Sequence, residues 1–168
     1  MQLQGNYRNG GITMRGIKFR GLSDGTWVYG SHVQTGSGLH FIIPQNLIAN
    51  DIVQWVVNQK TVGQYTGLND KNGKEIYEGN IVSVNYLGFH KFNAVVKLGQ
   101  YIQDGSGGEY LGTKCIGFYV EAINKDQNDE YDIKEVPEYL ETSSLLSFDS
   151  IKVIGNIYEN PELLEVSL

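Results

Sequence analysis

The chain has 168 residues and a formal net charge of −6, and this length allows one ordinary domain or two small β subdomains sharing a core. Residues 1–75 carry seven Lys or Arg and four Asp or Glu, whereas residues 76–168 carry six and fifteen, so the acidic second half disfavours nucleic acid as a partner. No run approaches the roughly 18 apolar residues of a membrane span and no signal-peptide core is present, which predicts a cytoplasmic protein without membrane contact.

The opening residues 1–13, MQLQGNYRNGGIT, are polar and rich in Gly and Asn. They predict a disordered or expression-derived leader, with Met14 as the natural start. Residues 14–168 are expected to form a single β domain. The strand pattern allows this domain to be divided into subdomains at 14–77 and 78–160.

Candidate strands follow one another along the chain, separated by turns rich in Gly, Asn and Asp. They are Ile17–Arg20, Thr26–Tyr29, Leu39–Ile43, Ile52–Val57, Thr61–Tyr65, Ile81–Tyr86, Phe92–Leu98, Cys115–Ile123 and Ile151–Tyr158. Several alternate between apolar and polar residues, as half-buried strands do. The pattern predicts a mainly β fold of antiparallel sheets, with a small SH3-like barrel unit between Glu78 and Ile157.

Few helices are expected, and those should be short. The clearest helix signal is NPELLE near the end of the chain, where Asn160 can serve as N-cap and Pro161 suits the first helical position. This segment predicts a short terminal helix.

The stretch QYTGLNDKNGKEIYEGNIV, residues 64–82, predicts a hairpin. Asn72 and Gly73 suit a type I′ turn, Asp70 can accept a hydrogen bond from the backbone two residues on, and Gly79 gives the conformational freedom to enter the next strand. These four residues are therefore interpreted as structural turn residues.

The side chains of the same hairpin are expected to divide into an inner and an outer set. Ile76, Ile81 and Val82 should point inward, and Tyr65 and Tyr77 should pack on each other across the hairpin.

The outer set is predicted to form an exposed, mixed-charge rim that contacts a partner. It consists of Lys71, Lys74, Glu75 and Glu78. If both glutamates are exposed, replacing them together with alanine should leave the melting temperature nearly unchanged.

Metal binding is the main alternative for the acidic residues. A calcium loop with Gly73 at its sixth position fails, because Leu68 and Gly79 would occupy two positions that need oxygen ligands. The loop 124–135 fits better, with oxygen side chains at the ligand positions Asn124, Asp126, Asn128, Asp132 and Glu135. Its flanks do not predict helices, however, so solvated acid is the favoured interpretation, and no metal or cofactor is predicted.

Catalytic motifs are absent from the sequence. There is no G-x-S-x-G, no P-loop and no G-x-G-x-x-G after a strand, and His32, His40 and His90 are scattered. Cys115, the only cysteine, lies in an apolar run and is expected to be a small core residue. No catalytic residue is predicted.

Two alternative functions remain open at this stage. The first is a metal-assisted hydrolase that uses carboxylates of the 70–78 hairpin or of the 124–135 loop. The second is nucleic-acid binding through Arg15, Lys18 and Arg20, although three basic residues on a probable strand usually form only a solvated face.

Two segments carry a family resemblance. VGQYTGLNDKNGKEIYEGNIV (62–82) and VIGNIYENPELL (153–164) resemble the two signatures of the YopX family of phage and prophage proteins, and MRGIKFRGL from Met14 is similar to that family's usual opening. One departure is visible, because the family usually has Asp at the position of Asn80. The resemblance implies a phage or prophage origin, an intracellular location and a largely β fold, and it supplies no catalytic residue.

The sequence therefore predicts a non-enzymatic protein-binding or assembly module. Its expected partner is a phage or host protein, and a homo-oligomer is left open.

Overall fold

The structure, a computed structural model, describes residues 16–45, 53–106, 109–125, 127–128 and 134–165. The predicted leader 1–13 lies outside the described residues, as do Arg15 and the calcium-loop positions Asp126 and Asp132. The structural statements that follow refer to the described residues.

The fold is mainly β, as predicted. The strands are β1 (Phe19–Ser23), β2 (Thr26–Gln34), β3 (His40–Ile43), β4 (Trp55–Val56), β5 (Gly63–Asn69), β6 (Glu75–Tyr77), β7 (Asn80–Tyr86), β8 (His90–Gln103), β9 (Thr113–Ala122), β10 (Thr142–Ser144) and β11 (Ser150–Asn156). The described helices are 3-10 turns of three or four residues. None of them has the length and apolar character needed to cross a membrane.

The strands form two antiparallel sheets. One has the order β4-β3-β2-β1-β5-β6 and the other the order β10-β9-β8-β7-β11. The expected SH3-like barrel is not confirmed, because the second sheet is open and its edge strands β10 and β11 are not paired with each other in the described part of the chain.

Alternation of apolar residues explains where the larger core lies. Val82 and Val84 of β7, Ala94 and Val96 of β8, and Val120 of β9 are all buried on one face of the five-stranded sheet. A smaller cluster of Val28, Ile42 and Val57 lies in the six-stranded sheet.

Several details differ from the sequence prediction. The predicted strand Ile52–Val57 is reduced to Trp55–Val56 in the described residues, and β8 continues to Gln103 instead of ending at Leu98. Strand β6 is the second strand of the predicted hairpin but was not among the candidate strands, and β10 was not predicted. The terminal helix is a 3-10 turn, Pro161–Leu164, and the Asn160 side chain makes no capping hydrogen bond to it. Strands β6 and β10 are only three residues long, which is too short to show an alternating pattern.

The β8–β9 hairpin extends beyond its neighbours. Strand β7 pairs with β8 only as far as Val95, and β10 pairs with β9 only from Tyr119 to Glu121. We call residues 98–106 and 109–118 the arm. At its base Gly99 and Gly117 face each other with φ values of +157° and +152°, conformations that favour glycine.

Candidate functional site

The turn of the predicted hairpin is built around Asp70. One of its carboxylate oxygens accepts hydrogen bonds from the backbone N–H groups of Asn72 (2.8 Å) and Lys74 (2.9 Å), which confirms the predicted bond two residues on. Gly73 has a φ of +83°, but Asn72 does not have a positive φ. The type I′ assignment is therefore wrong, because that turn needs positive φ at both residues.

The second oxygen of Asp70 reaches the other sheet. It accepts a hydrogen bond from the backbone N–H of Val153 in β11 at 3.0 Å, and the Lys71 N–H donates to the Ile151 carbonyl at 2.9 Å. Burial acts to raise the pKa of Asp70, but the hydrogen bonds from Val153, Lys74 and Asn72 outweigh it and lower that pKa below its usual value. The buried, charged carboxylate of Asp70 thus links the two sheets through its hydrogen bonds.

Asn80 makes a second link between the same two segments. Its side chain is buried, with its oxygen accepting from the Tyr77 N–H (2.7 Å) and its nitrogen donating to the Gly155 carbonyl (3.2 Å). An amide can accept and donate at once, whereas an ionised carboxylate can only accept. Asn at this position therefore preserves the bond to the turn and adds one to β11.

The inward set of the hairpin is as predicted. Ile76, Ile81 and Val82 are fully buried, and the Tyr65 and Tyr77 rings lie 5.4 Å apart in a tilted arrangement. These contacts, together with those of Asp70 and Asn80, give the hairpin a structural role.

The predicted rim is only half exposed. Lys71 and Lys74 are exposed, but Glu75 accepts hydrogen bonds from Lys18 Nζ (2.7 and 2.9 Å) and from the Tyr77 hydroxyl (2.7 Å). Glu78 is partly buried, and burial raises its pKa against a smaller opposing effect of a backbone hydrogen bond from Gln64. The expectation of a rim of four exposed charges is corrected for the two glutamates, whose side chains belong to intramolecular contacts.

The contacts of Glu75 change the expected effect of its removal. Glu75→Ala should destabilise the protein by about 0.5–1 kcal/mol, a value reduced by partial exposure to solvent, because Lys18 and the Tyr77 hydroxyl lose their acceptor. Urea denaturation of this variant and of the exposed control Lys74→Ala measures the difference. Equal midpoints for the two variants would show that the Lys18–Glu75 pair contributes nothing to stability.

Lys18 and Arg20 do not form a free basic surface. Arg20 is only 5% exposed, and its guanidinium carbon lies 4.6 Å from the centre of the Trp27 ring and 5.1 Å from that of Tyr77. Lys18 is paired with Glu75. The nucleic-acid hypothesis thus loses two of its three basic residues, and the third, Arg15, lies outside the described part of the chain.

The burial of Arg20 also lowers its pKa, because a charged guanidinium is less well solvated in the interior. Its Nη2 donates to the Glu78 carbonyl at 3.2 Å, while its Nε is buried without a hydrogen-bond partner. We call Arg20, Trp27 and Tyr77 the cation–aromatic cluster. The negative faces of the two rings attract the buried guanidinium.

The hairpin carboxylates do not converge on a common point. Asp70 is occupied by backbone N–H groups and Glu75 by Lys18, so an ion at either would have to displace these donors. Across the described ranges, no group of three or more His, Cys, Asp or Glu side chains has a metal-binding arrangement. The 124–135 alternative falls partly on residues outside those ranges.

One contact between histidines has no signal in the sequence. His32 Nε2 and His40 Nδ1 lie 2.9 Å apart, because antiparallel pairing of β2 with β3 brings them together. Cys115 is also corrected: it is half-buried on the arm rather than a core residue. Neither position could be inferred from local pattern, since both depend on which strands pair and where their neighbours end.

The arm carries several large apolar side chains that are exposed. On one face, beside Gln100 and Lys114, lie Leu98, Ile102 and Ile116, which are 43%, 55% and 80% exposed. In the register of β8 with β9 they lie on the same side as the buried Val96 and Val120. The core face of the sheet therefore continues along the arm. The arm is also tied to β10, because the Thr142 hydroxyl donates to the Ile102 carbonyl (2.9 Å) and the Ser144 N–H donates to the Gln103 side chain (2.7 Å).

A groove follows the arm. It has a volume of about 490 Å³ and is lined by Gln100, Tyr101, Ile102, Lys114, Cys115 and Ile116. Exposed apolar side chains that lie near one another commonly mark an interaction site. The arm, rather than the predicted rim, is the candidate functional site.

These features define a two-sheet β protein with a long β8–β9 hairpin. Its two sequence signatures are joined by the buried carboxylate of Asp70 and the amide of Asn80. The YopX protein family matches residues 18–165, most of the chain, and the protein belongs to that family. No curated protein matches the chain. Among solved structures, protein EF1440 from Enterococcus faecalis is similar, with 22% identity, coverage of 89% of this chain and 98% of that chain, and a TM-score of 0.41.

Proposed function

We propose that this is a phage- or prophage-encoded, non-enzymatic module that binds a protein partner in the bacterial cytoplasm through the apolar face of the arm. The observation that carries the proposal is the exposure of Leu98, Ile102 and Ile116 on the continuation of the core face. Leaving such side chains in water forgoes about 25 cal/mol for each Å² that a partner would cover.

The chemistry of the arm favours a protein over a nucleic acid. Its face combines Leu98, Ile102 and Ile116 with Gln100 and Lys114, and Lys114 is the charged residue that lines the groove. A nucleic-acid surface would need several Lys or Arg side chains. The family resemblance supports the phage or prophage origin, and the partner is accordingly a phage or host protein.

Affinity capture from host cells during phage growth tests the proposal. The double variant Ile102→Glu, Ile116→Glu should reduce the amount of captured partner at least about tenfold, because each buried charge opposes burial of the face. Leu146→Glu is the matched control, since Leu146 is 79% exposed but lies outside the arm. Equal capture by the wild type and by the arm variant would overturn the proposal.

A further inference from the structure

The outer edge of β9 on the arm has no strand partner among the described residues. Strand β10 covers β9 only at Tyr119–Glu121, which leaves Thr113–Gly117 as an open edge. Unpaired backbone groups on an edge strand are a template for another strand. The edge is five residues long, close to the usual length of a strand.

The direction of the backbone groups on this edge follows from neighbouring hydrogen bonds. The Ala122 N–H donates outward to Glu141, and the Ile123 N–H donates toward β8, to Asn93. Because backbone groups alternate along a strand and the register with β8 is continuous, the N–H and C=O groups of Lys114 and Ile116 point outward. Those of Thr113, Cys115 and Gly117 point toward β8.

We propose that two copies of this chain pair antiparallel through the open edge Thr113–Gly117, with the two-fold axis at Cys115. In this register Lys114 of one copy lies opposite Ile116 of the other, and each such pair exchanges two backbone hydrogen bonds. The two Cys115 residues then face each other as a non-hydrogen-bonded pair. A two-fold interface of this kind is self-complementary and closed.

Charge and the available space favour a two-fold axis at Cys115 over an axis at either adjacent residue. An axis at Lys114 would place two lysines directly opposite each other, which is destabilising. An axis at Ile116 would bring Lys114 against Phe118, next to the point where β10 begins to cover the edge. With the axis at Cys115, all the new pairs stay within the open edge.

The dimer goes beyond the proposed function, because it uses the edge of the arm rather than its face. The axis is perpendicular to the joined sheet, so both apolar faces lie on the same side. Ile116 of each copy then contacts the stem of the opposite Lys114. The two faces become one wider surface for the partner proposed above.

Sedimentation of the reduced full-length chain tests the pairing. We expect a concentration-dependent dimer, and Ile116→Pro should raise its dissociation constant at least about tenfold, because it removes an outward N–H from both copies. Ile116→Val keeps that N–H and should change the constant less than about threefold. Circular dichroism establishes that each variant is folded. A wild type that stays monomeric, or a folded proline variant that dimerises like the wild type, overturns the inference.

Oxidation with diamide tests the register. Opposed residues in a non-hydrogen-bonded pair have Cα atoms about 4.5 Å apart, within the range of a disulfide. The native chain should therefore form a covalent dimer at least about tenfold faster than Cys115→Ser, Leu146→Cys, whose cysteine is outside the edge, and faster than Cys115→Ser, Ile116→Cys. If either control is as fast as the native chain, the inference as stated is overturned.

The two proposals can fail separately. A wild type that is monomeric but still captures its partner through Ile102 and Ile116 leaves the proposed function standing and removes the dimer. If the wild type dimerises but captures its partner independently of Ile102 and Ile116, the dimer stands and the proposed function is removed.

Discussion

Replacing Asp70 with alanine is expected to destabilise the protein by about 2–3 kcal/mol. The buried N–H of Val153 would be left without an acceptor, which costs about 1–3 kcal/mol, whereas the N–H groups of the exposed residues Asn72 and Lys74 would lose a charged acceptor but can bond to water. Urea denaturation at neutral pH measures the effect, with the exposed neighbour Lys71→Ala as the control. A loss below about 1 kcal/mol would show that the hydrogen bond from Val153 to Asp70 contributes little to the stability of the fold.

The same carboxylate gives a pH dependence of known sign. Because the folded-state pKa of Asp70 is lowered, its charge contributes stability above the unfolded-state pKa of about 3.9. That contribution is lost as pH falls from there through the folded-state pKa. Asp70→Asn cannot titrate, so its stability difference from the wild type should shrink in acid. If the stability difference between the wild type and Asp70→Asn is constant from pH 7 to about pH 2, the charge of Asp70 does not stabilise the fold.

Replacing Arg20 with alanine should cost about 3 kcal/mol. The substitution removes a nearly buried side chain from between Trp27 and Tyr77 and leaves a cavity beside both rings. Arg20→Lys should cost less, about 1–2 kcal/mol, because it keeps the charge and part of the stem but loses the planar group that stacks on the rings. Thermal denaturation followed by circular dichroism compares the two.

Arg20→Ala has an informative contrary outcome. If the alanine variant is as stable as the wild type, the cation–aromatic cluster does not hold β1 and β2 against Tyr77. The burial of Arg20 between the two rings would then be a consequence of the fold rather than a source of its stability.

Local pattern was enough to predict the fold class, most strands and the inner side of the hairpin. Alternation placed Val82 and Val84 on a buried face, and the need for a glycine at the turn identified Gly73 and Gly79, both of which have positive φ. These features depend on residues close together in sequence. Turn chemistry and period-two burial are properties of such short segments.

Long-range pairing decided the roles of the charged residues. Asp70 was assigned to the turn, but its third hydrogen bond goes to Val153, 83 residues away. Lys18 and Glu75 were both interpreted as surface charges, and pairing of β1 with β5 together with β5 with β6 brings them into contact. Sequence spacing carries no information about such partners, because sheet contacts join residues far apart along the chain.

The arm shows most clearly which features the sequence determines and which depend on the tertiary structure. The sequence by itself determined that Ile116, Phe118, Val120 and Ala122 share one face of a strand. Only the tertiary structure decided that Val120 and Ala122 are buried while Ile116 is 80% exposed. The physical reason is that a side-chain period of two selects a face, whereas burial depends on how far the neighbouring strands extend over it. Here β7 and β10 end before the β8–β9 hairpin does, so no described strand pairs with the Thr113–Gly117 edge of β9, and Ile116 stays exposed. On the other strand of the arm, β10 contacts Ile102 and Gln103 through hydrogen bonds from Thr142 and Ser144.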